Sequence, residues 1–281
     1  MRLPNFLIVG AMKCGTTTLQ AQLAAQPGIF MATPKEPNFF SDDLIYARGM
    51  DWYSGLFAAA EQGDLCGEAS TNYTKLPNYP HCAERICKAL PDVRLIYMVR
   101  DPVARTVSHF VHEWTMGRMS LNFAQMLETH PELVSYSCYA RQISPYVKAF
   151  GADRILLVGL EDLENDPRFQ LGRIGAFLGL PVKPVWQDYH ARENVSSERL
   201  RKFLGYGLLI EHPLAQSLRR GFIPQRLRNA VKERLRMGRR PEVPPHLVQR
   251  LQDVFAEDQA ALGKIFQDRA LPRSVVPRQA A

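Results

Sequence analysis

Residues 7–19 read Leu-Ile-Val-Gly-Ala-Met-Lys-Cys-Gly-Thr-Thr-Thr-Leu, and this stretch decides the fold of the chain. The apolar run 6–9 predicts a buried parallel strand that ends at Gly10. A tight turn follows, and a helix is expected from about Gly15 to Gln26. A strand, a loop and a helix in this order form a phosphate-binding site, because loop amides point inward and the helix N-terminus carries a partial positive charge.

The loop has the glycine spacing of a Walker A motif but a different lysine position. Gly10 and Gly15 are separated by four residues, as that motif requires, yet Thr16 stands where its lysine belongs. The lysine of this loop, Lys13, precedes the second glycine, and hydroxyl donors follow at 16–18. Because magnesium–nucleoside triphosphate chemistry needs the lysine beside the β- and γ-phosphates, the shift favours a different phosphate ester. The alternative is an ordinary strand–turn–helix without a ligand.

Length and charge indicate a globular α/β protein that binds anions. The chain has 281 residues and a formal net charge of +7. We expect one domain over 1–281, with a core at about 4–180 and a basic helical part at about 181–270. The positive charge favours anionic ligands without identifying them.

The five cysteines do not suggest a metal site. They lack metal-ligand spacing, so we interpret them as reduced thiols. They are Cys14, Cys66, Cys82, Cys87 and Cys138.

No apolar run is long enough to cross a bilayer, and the N-terminal apolar run is too short for a signal peptide. We therefore predict a cytoplasmic protein with no membrane span and no bound metal.

A second functional segment follows a short strand predicted at 29–31. It reads Thr-Pro-Lys-Glu-Pro-Asn-Phe-Phe over 33–40, and its two prolines make it extended and rigid. A surface loop with solvated charges is the simpler interpretation of Lys35 and Glu36. Their position after the second strand favours the edge of a cleft instead, because ligands bind at the carboxyl ends of the strands in such sheets.

A third segment, 93–102, predicts a central strand with an anion-binding end. Residues 95–100 have strand character, Arg100 ends the strand, and Asp101 is suited to cap a helix. Arg100 and Ser108, which lies two turns into that helix, can hold one phosphate together, since a planar guanidinium suits this task. An equally open alternative is that Arg100 pairs with Asp101 in a network that caps the helix.

Alternating strands and helices predict the architecture of the whole chain. We expect a P-loop-like three-layer sandwich with a mostly parallel central sheet and a helical, basic C-terminal region. The basic residues at 219–240 are interpreted as a solvated surface, with a mobile lid over an anionic substrate as the alternative. Few aromatic residues interleave with them, which argues against a nucleic-acid partner. A last helix is predicted to pack an apolar face on the core. That face consists of Leu247, Val248, Leu251, Val254, Phe255, Leu262 and Phe266.

Taken together, these segments resemble the sulfotransferases that use 3′-phosphoadenosine 5′-phosphosulfate (PAPS), especially the heparan sulfate group and its bacterial relatives. The similarity covers roughly 5–120 well and extends more loosely to 266. The segments that carry it are 10–17, 35–40, 49–53, 67–68 and 100–108. The two phosphate motifs are specific when they occur together in this order.

The resemblance implies a role for each matching residue. Glu36 is implied to be the general base, with Lys13 as a second catalytic residue. Arg100 and Ser108 are implied to hold the 3′-phosphate. The residues implied to hold the 5′-phosphosulfate are Lys13, Cys14, Gly15, Thr16 and Thr17. A weaker match implies a loop that closes over the nucleotide. The residues of this loop are Ser197, Arg199 and Arg201. No metal is implied.

The implied activity is transfer of a sulfuryl group to a hydroxyl or an amine. The acceptor is expected to be a glycan or a small molecule, anionic ones included. The heparan group usually has His and Lys where this chain has Asn38 and Ala69, so the acceptor stays open, as does the oligomeric state. Two rival interpretations are a P-loop kinase-like ATP-dependent transferase, against which the shifted Lys13 argues, and a non-catalytic protein that binds nucleotides or polyanions.

Overall fold

Within the residues that are described, the central sheet contains five parallel strands. The computed structural model describes residues 1–188, 243–267, 269 and 271–276. The strands lie in the order β2-β3-β1-β4-β5, and each neighbouring pair is parallel. Their bounds are β1 (Phe6–Gly10), β2 (Ile29–Met31), β3 (Leu65–Ala69), β4 (Arg94–Val99) and β5 (Ile155–Gly159). The prediction of a mostly parallel central sheet is confirmed.

Helices cover both faces of this sheet. Their bounds are α1 (Thr16–Ala24), α2 (Asp43–Tyr46), α3 (Gly49–Gly55), α4 (Cys82–Ala89), α5 (Pro102–Thr115), α6 (Phe123–Thr129), α7 (Glu132–Ser135), α8 (Tyr139–Phe150), α9 (Leu160–Asn165), α10 (Pro167–Leu178) and α11 (Pro245–Ile265). Short 3₁₀ turns cover Thr71–Thr74, Ala152–Arg154 and Arg273–Val275. The β1-to-β2 connection crosses the sheet in one direction and the later strand connections cross it in the other. Right-handed crossovers therefore place α1 on one face and α4, α5 and α8 on the other, as in the predicted three-layer sandwich.

The middle strands are apolar because they are covered on both sides. Every residue of β1 is buried, and so are five of the six residues of β4. Strands of parallel sheets lie between two helical layers, so both alternating sets of side chains must be apolar. Packing between strands is close as well, since a Cβ on Gly67 would lie 2.2 Å from the ring of Phe6.

The carboxyl ends of β1 and β4 form the crevice of the sheet. These two strands are neighbours, and the chain leaves them in opposite directions across the sheet. Ligands of open α/β sheets bind at such a reversal point. The backbone N–H of Ala11, just past β1, donates to the carbonyl of Met98 in β4 at 2.7 Å. The two predicted phosphate-binding segments therefore meet at one edge of the sheet.

A second apolar cluster joins α11 to α5, α6 and α7. Its buried members are Phe110, Val111, Met119, Phe123, Met126, Leu133, Leu247, Leu251 and Phe255. Asp258 of α11 also accepts hydrogen bonds from the backbone N–H groups of Ala140 and Arg141 at 2.9 and 3.0 Å, which satisfies amides in the first turn of α8. The last helix thus packs on the core as predicted. The prediction is wrong for Val254, which is 48% exposed because it lies on the outer side of α11.

No helix in the described ranges combines the length and the apolar character that crossing a bilayer requires. The cytoplasmic location stays a prediction.

Candidate active site

The phosphate loop, residues 10–16, joins β1 to α1. Positive φ values occur at Gly10 (145°), Lys13 (71°) and Gly15 (84°), so the backbone turns sharply three times within this loop. A Cβ on Gly15 would lie 2.6 Å from Leu160 Cδ1, which favours glycine there on packing as well as conformation. Gly15 offers no side chain to cap α1, and the first turn of α1 has no acidic residue. The first backbone amides of α1 and the dipole of this helix therefore suit a bound anion.

Cys14 packs behind the phosphate loop. Its thiol is fully buried, lies 3.6 Å from the hydroxyl of Tyr139 and has a pKa raised to about 11 by burial. Its backbone N–H donates to the carbonyl of Ala11 at 3.2 Å. The Tyr139 hydroxyl also accepts from the backbone N–H of Arg100 at 3.3 Å. Cys14 thus contributes to the shape of the loop, and its thiol faces the core.

Arg100 follows β4 and faces the phosphate loop. Its Nη1 donates to the carbonyl of Lys13 at 3.4 Å, and its Nε lies 3.7 Å from Glu161 Oε1. Asp101 caps α5 by accepting from the N–H of Ala104 at 2.7 Å. The alternative in which Arg100 pairs with Asp101 is therefore wrong. The carboxylate beside Arg100 belongs to Glu161, which also accepts from the Asp101 N–H at 3.1 Å.

The Glu36 carboxylate lies beside the start of α1. Lys35 Nζ donates to Glu36 Oε1 at 3.0 Å and to Thr17 Oγ1 at 3.1 Å, so it links this carboxylate to the first turn of the helix. The Thr71 hydroxyl contacts both carboxylate oxygens at 3.2 and 3.3 Å. The Glu36 side chain is 33% exposed. The carboxylate is thus held in place and is still accessible from solvent.

The backbone at Glu36 adopts an unusual conformation. Glu36 has a φ of 57° and Asn38 a φ of 54°, both in the left-handed region. Asparagine tolerates this region, but a glutamate there costs about 1–3 kcal/mol and persists only where neighbouring contacts hold it. The Glu36 N–H donates to the Ala69 carbonyl at 3.0 Å, and the Asn38 N–H donates to Ser70 Oγ at 3.1 Å. The end of β3 therefore supports this turn.

A buried cation lies in α5, next to the crevice. Arg105 is fully buried, and its Nη2 donates to the carbonyl of Leu133 at 2.7 Å. Its Nε donates to Ser137 Oγ. Burial, together with the charge of Arg105, lowers the pKa of His109 to about 2, so this imidazole is neutral. The contacts of Arg105 with Leu133 and Ser137 fix α5 against α7 and the loop that follows it. Ser108 is also buried in α5.

Four of the predicted site residues meet at the crevice: Lys13, Thr17, Glu36 and Arg100. The shared binding of a phosphate by Arg100 and Ser108 stays a prediction. The predicted residues that lie outside the described residues are Ser197, Arg199 and Arg201, and the basic stretch 219–240 lies there too. In the part of the chain that is described, no three His, Cys, Asp or Glu side chains are grouped so that they could hold a metal ion.

Sequence reasoning missed two contacts of the site, Glu161 and Thr71. Glu161 is the second residue after β5, Arg100 is the first residue after β4, and the two strands are neighbours. A polar residue at each of two adjacent strand ends was the signal for their proximity. Thr71 lies in the 3₁₀ turn after β3, and its hydroxyl reaches Glu36 across 35 residues of sequence.

Residues 3–258 match the model of the sulfotransferase domain family. The chain belongs to this family. The fold class and the enzyme class that the sequence predicted are therefore confirmed, since the match extends over the sheet, the phosphate loop and most of α11.

Named relatives and a solved structure agree with this sulfotransferase assignment. Heparan sulfate glucosamine 3-O-sulfotransferase 6 of Mus musculus is 31% identical over 250 residues, which cover 85% of this chain and 70% of that protein. The mouse 3-O-sulfotransferase 3A1 is 31% identical over 200 residues, 67% of this chain and 48% of that protein. The chain thus spans about half the length of the second relative. The crystal structure of a sulfotransferase from Alicyclobacillus acidocaldarius has a TM-score of 0.69 and 25% identity, and the alignment covers 96% of this chain and 98% of that one.

Proposed function

We propose that this enzyme transfers a sulfuryl group from PAPS to a hydroxyl or an amine, with Glu36 as the general base. One contact carries the proposal. Lys35 Nζ bridges Thr17 Oγ1 and Glu36 Oε1, at 3.1 and 3.0 Å. A carboxylate is thereby held one side chain away from a helix N-terminus that suits a phosphate. A base and a leaving-group site that share a bridging cation are arranged for group transfer.

The residues of the phosphate loop fit the 5′-phosphosulfate end of the donor. The amides at the start of α1 are not capped by Gly15, and Thr17 presents a hydroxyl beside them. Lys13 adds a full positive charge to the same loop. A phosphate that gains negative charge as it departs is stabilised by such donors without a metal in principle.

The residues at the end of β4 fit the 3′-phosphate end. The Nε of Arg100 is buried and has no hydrogen-bond partner among the described residues, since Glu161 Oε1 lies at 3.7 Å. A guanidinium with an unfilled donor suits a phosphate oxygen. Because Arg100 Nη1 also contacts the Lys13 carbonyl, this donor lies close to the phosphate loop. One nucleotide with two phosphate groups matches two adjacent anion sites.

When bound, PAPS supplies an activated sulfuryl group on its 5′-phosphate. Glu36 accepts the proton of the acceptor hydroxyl or amine, which needs an approach of about 3 Å or one intervening water. As the new sulfur–oxygen or sulfur–nitrogen bond forms, the bond from sulfur to the phosphate oxygen breaks. Lys13 and the N-terminus of α1 stabilise the charge left on that phosphate. Lys35 donates to both side chains and so holds the Glu36 carboxylate next to Thr17.

The most useful first acceptors are glycans with a free hydroxyl. The names of two relatives specify heparan sulfate glucosamine and position 3-O, which supports a sugar hydroxyl as the acceptor class. Asn38 and Ala69 stand where the heparan group usually has His and Lys, so a panel of acceptors is needed, with small molecules included.

Nucleotide preference tests the donor half of this proposal. A thermal-shift series compares 3′-phosphoadenosine 5′-phosphate (PAP) with ADP, each without added magnesium. We expect PAP to raise the melting temperature with concentration, because a ligand that binds only the folded state stabilises it by mass action. ADP is expected to have a much smaller effect. Stabilisation by ADP alone would contradict the proposal and favour an ATP-dependent transferase.

A further inference from the structure

Two segments that carried the family resemblance, 49–53 and 67–68, have no part in the proposed chemistry, yet they meet in the core. Glu68 of β3 is fully buried. Its Oε2 accepts hydrogen bonds from the hydroxyls of Tyr53 in α3, at 2.5 Å, and of Tyr73, at 3.1 Å. Its Oε1 is buried and has no hydrogen-bond partner among the residues described. A buried carboxyl group is costly, so its contacts need a structural or functional reason.

Both tyrosines hold the residues that follow Glu36. The ring of Tyr53 stacks on Phe39 with centroids 4.4 Å apart, and it contacts Phe40 edge to face at 5.1 Å. The hydroxyl of Tyr73 accepts from the backbone N–H of Phe40 at 3.4 Å. The carboxyl of Glu68 joins the two hydroxyls. It thereby fixes two rings that both contact Phe40, one of which also stacks on Phe39.

We propose that Glu68 is a positioning residue for the reaction: through Tyr53 and Tyr73 it anchors residues 39–40 and so holds the left-handed turn that presents Glu36. The inference rests on the proposed role of Glu36 as the base. Glu68 itself lies in the core and does not touch the reacting groups.

The turn needs anchors on both sides because its conformation is unfavourable. On the N-terminal side, the Glu36 N–H is bonded to the Ala69 carbonyl at 3.0 Å. On the C-terminal side, the anchors are the Asn38 contact with Ser70 and the aromatic contacts of 39–40. If the C-terminal anchor loosens, the backbone at Glu36 relaxes out of the left-handed region. The carboxylate then leaves Lys35 and the phosphate loop.

Substitution of Glu68 by glutamine isolates this role. Glutamine has nearly the same shape, but only one end of its amide accepts hydrogen bonds, so the amide oxygen must take the place of Oε2 to keep both hydroxyls. Its NH₂ group then takes the place of Oε1 and adds two donors at a buried position that has no hydrogen-bond partner among the described residues. We therefore expect E68Q to loosen residues 38–40. Y73F is the second variant, since it removes one hydroxyl and keeps the ring. Y97F is the matched control, because the Tyr97 hydroxyl is buried without a hydrogen-bond partner among those residues.

The first measurement is amide hydrogen exchange at residues 38–40, which does not depend on activity. We expect faster exchange there in E68Q and Y73F than in the wild type and Y97F. Unchanged protection in both variants would overturn the inference. A wild-type chain that transfers no sulfuryl group would instead overturn the proposed function, so the two failures are distinguishable.

The second measurement is a double-mutant comparison of turnover. We expect E68Q to lower kcat by about 10²-fold, the scale of a small misplacement of a catalytic group, while the Kd for PAP changes less than about twofold. If Glu68 acts through Glu36, E68Q causes no further loss in an E36Q background. An equal loss in both backgrounds would mean a general structural effect and would overturn the positioning role.

Discussion

Arg100 Nη1 donates to the backbone carbonyl of Lys13 at 3.4 Å, which joins the end of β4 to the phosphate loop after β1. The two residues are 87 positions apart in the chain and come from neighbouring parallel strands. The contact places two cationic sites at one edge of the sheet. One nucleotide with a phosphate group at each end can reach both sites only because they lie this close together.

Removal of the Arg100 side chain is expected to weaken the binding of PAP much more than the binding of AMP. Hydrogen bonds to charged groups contribute about 1.5–3 kcal/mol, so R100A should raise the Kd for PAP by about 10- to 100-fold. AMP lacks the 3′-phosphate, and its Kd should change little. Titration calorimetry with both nucleotides checks this. R154A is the matched control, because Arg154 pairs with Asp92 at 3.2 Å at the opposite end of β5 from the crevice. Equal losses for both nucleotides in R100A would contradict the assignment.

Alanine at Gly15 is expected to damage both stability and nucleotide binding. Both Gly15 and Gly28 have left-handed φ values, 84° and 75°, so alanine costs about 1–2 kcal/mol of backbone strain at either position. Only at Gly15 would the new Cβ meet a side chain, Leu160 Cδ1 at 2.6 Å. Urea unfolding should therefore rank the variants wild type, G28A and G15A in falling stability. Only G15A should also lose PAP affinity. Equal behaviour of the two variants would count against a tightly packed phosphate loop.

Acid should destabilise the protein partly through His109. Burial and the charge of Arg105 lower the pKa of His109 from 6.5 to about 2, so the unfolded chain binds a proton there that the folded chain does not. Its contribution to stability is therefore present above pH 6.5 and is lost as the pH falls towards 2, by up to about 1.4 kcal/mol per pH unit. H109Q should unfold with a shallower pH dependence between 6.5 and 5. The same slope in H109Q and the wild type would contradict a neutral buried imidazole.

Apolar runs and glycine positions predicted the sheet and the phosphate loop, because both depend on local sequence. Phe6 to Gly10 and Arg94 to Val99 are buried strands with turn residues at their ends. The position of Glu36 next to the loop followed from the general rule that ligands bind at strand ends. The Lys35 bridge to Thr17 adds the contact that makes this position specific.

Other parts of the site depend on which strands become neighbours, and local sequence does not determine that. Glu161 reaches Arg100 because β5 lies beside β4. The left-handed backbone at Glu36 could not be predicted either, since glutamate seldom adopts it and its hydrogen-bonded support comes from Ala69 and Ser70, which are more than 30 positions away in the chain. Pairing of Arg100 with Asp101 was plausible from the local sequence. The carboxylate beside Arg100 belongs instead to Glu161, which is far away in the sequence.

Sulfuryl transfer by E36Q, measured together with the affinity of this variant for PAP, tests the role of Glu36 as the general base. Glutamine keeps the shape of Glu36 and cannot accept the acceptor proton. We expect single-turnover transfer from PAPS to fall by at least ~10²-fold while the Kd for PAP stays within about threefold of the wild type, since a general base contributes on this scale and does not hold the nucleotide. Transfer at the wild-type rate in E36Q, with PAP still bound, would show that Glu36 is not the general base.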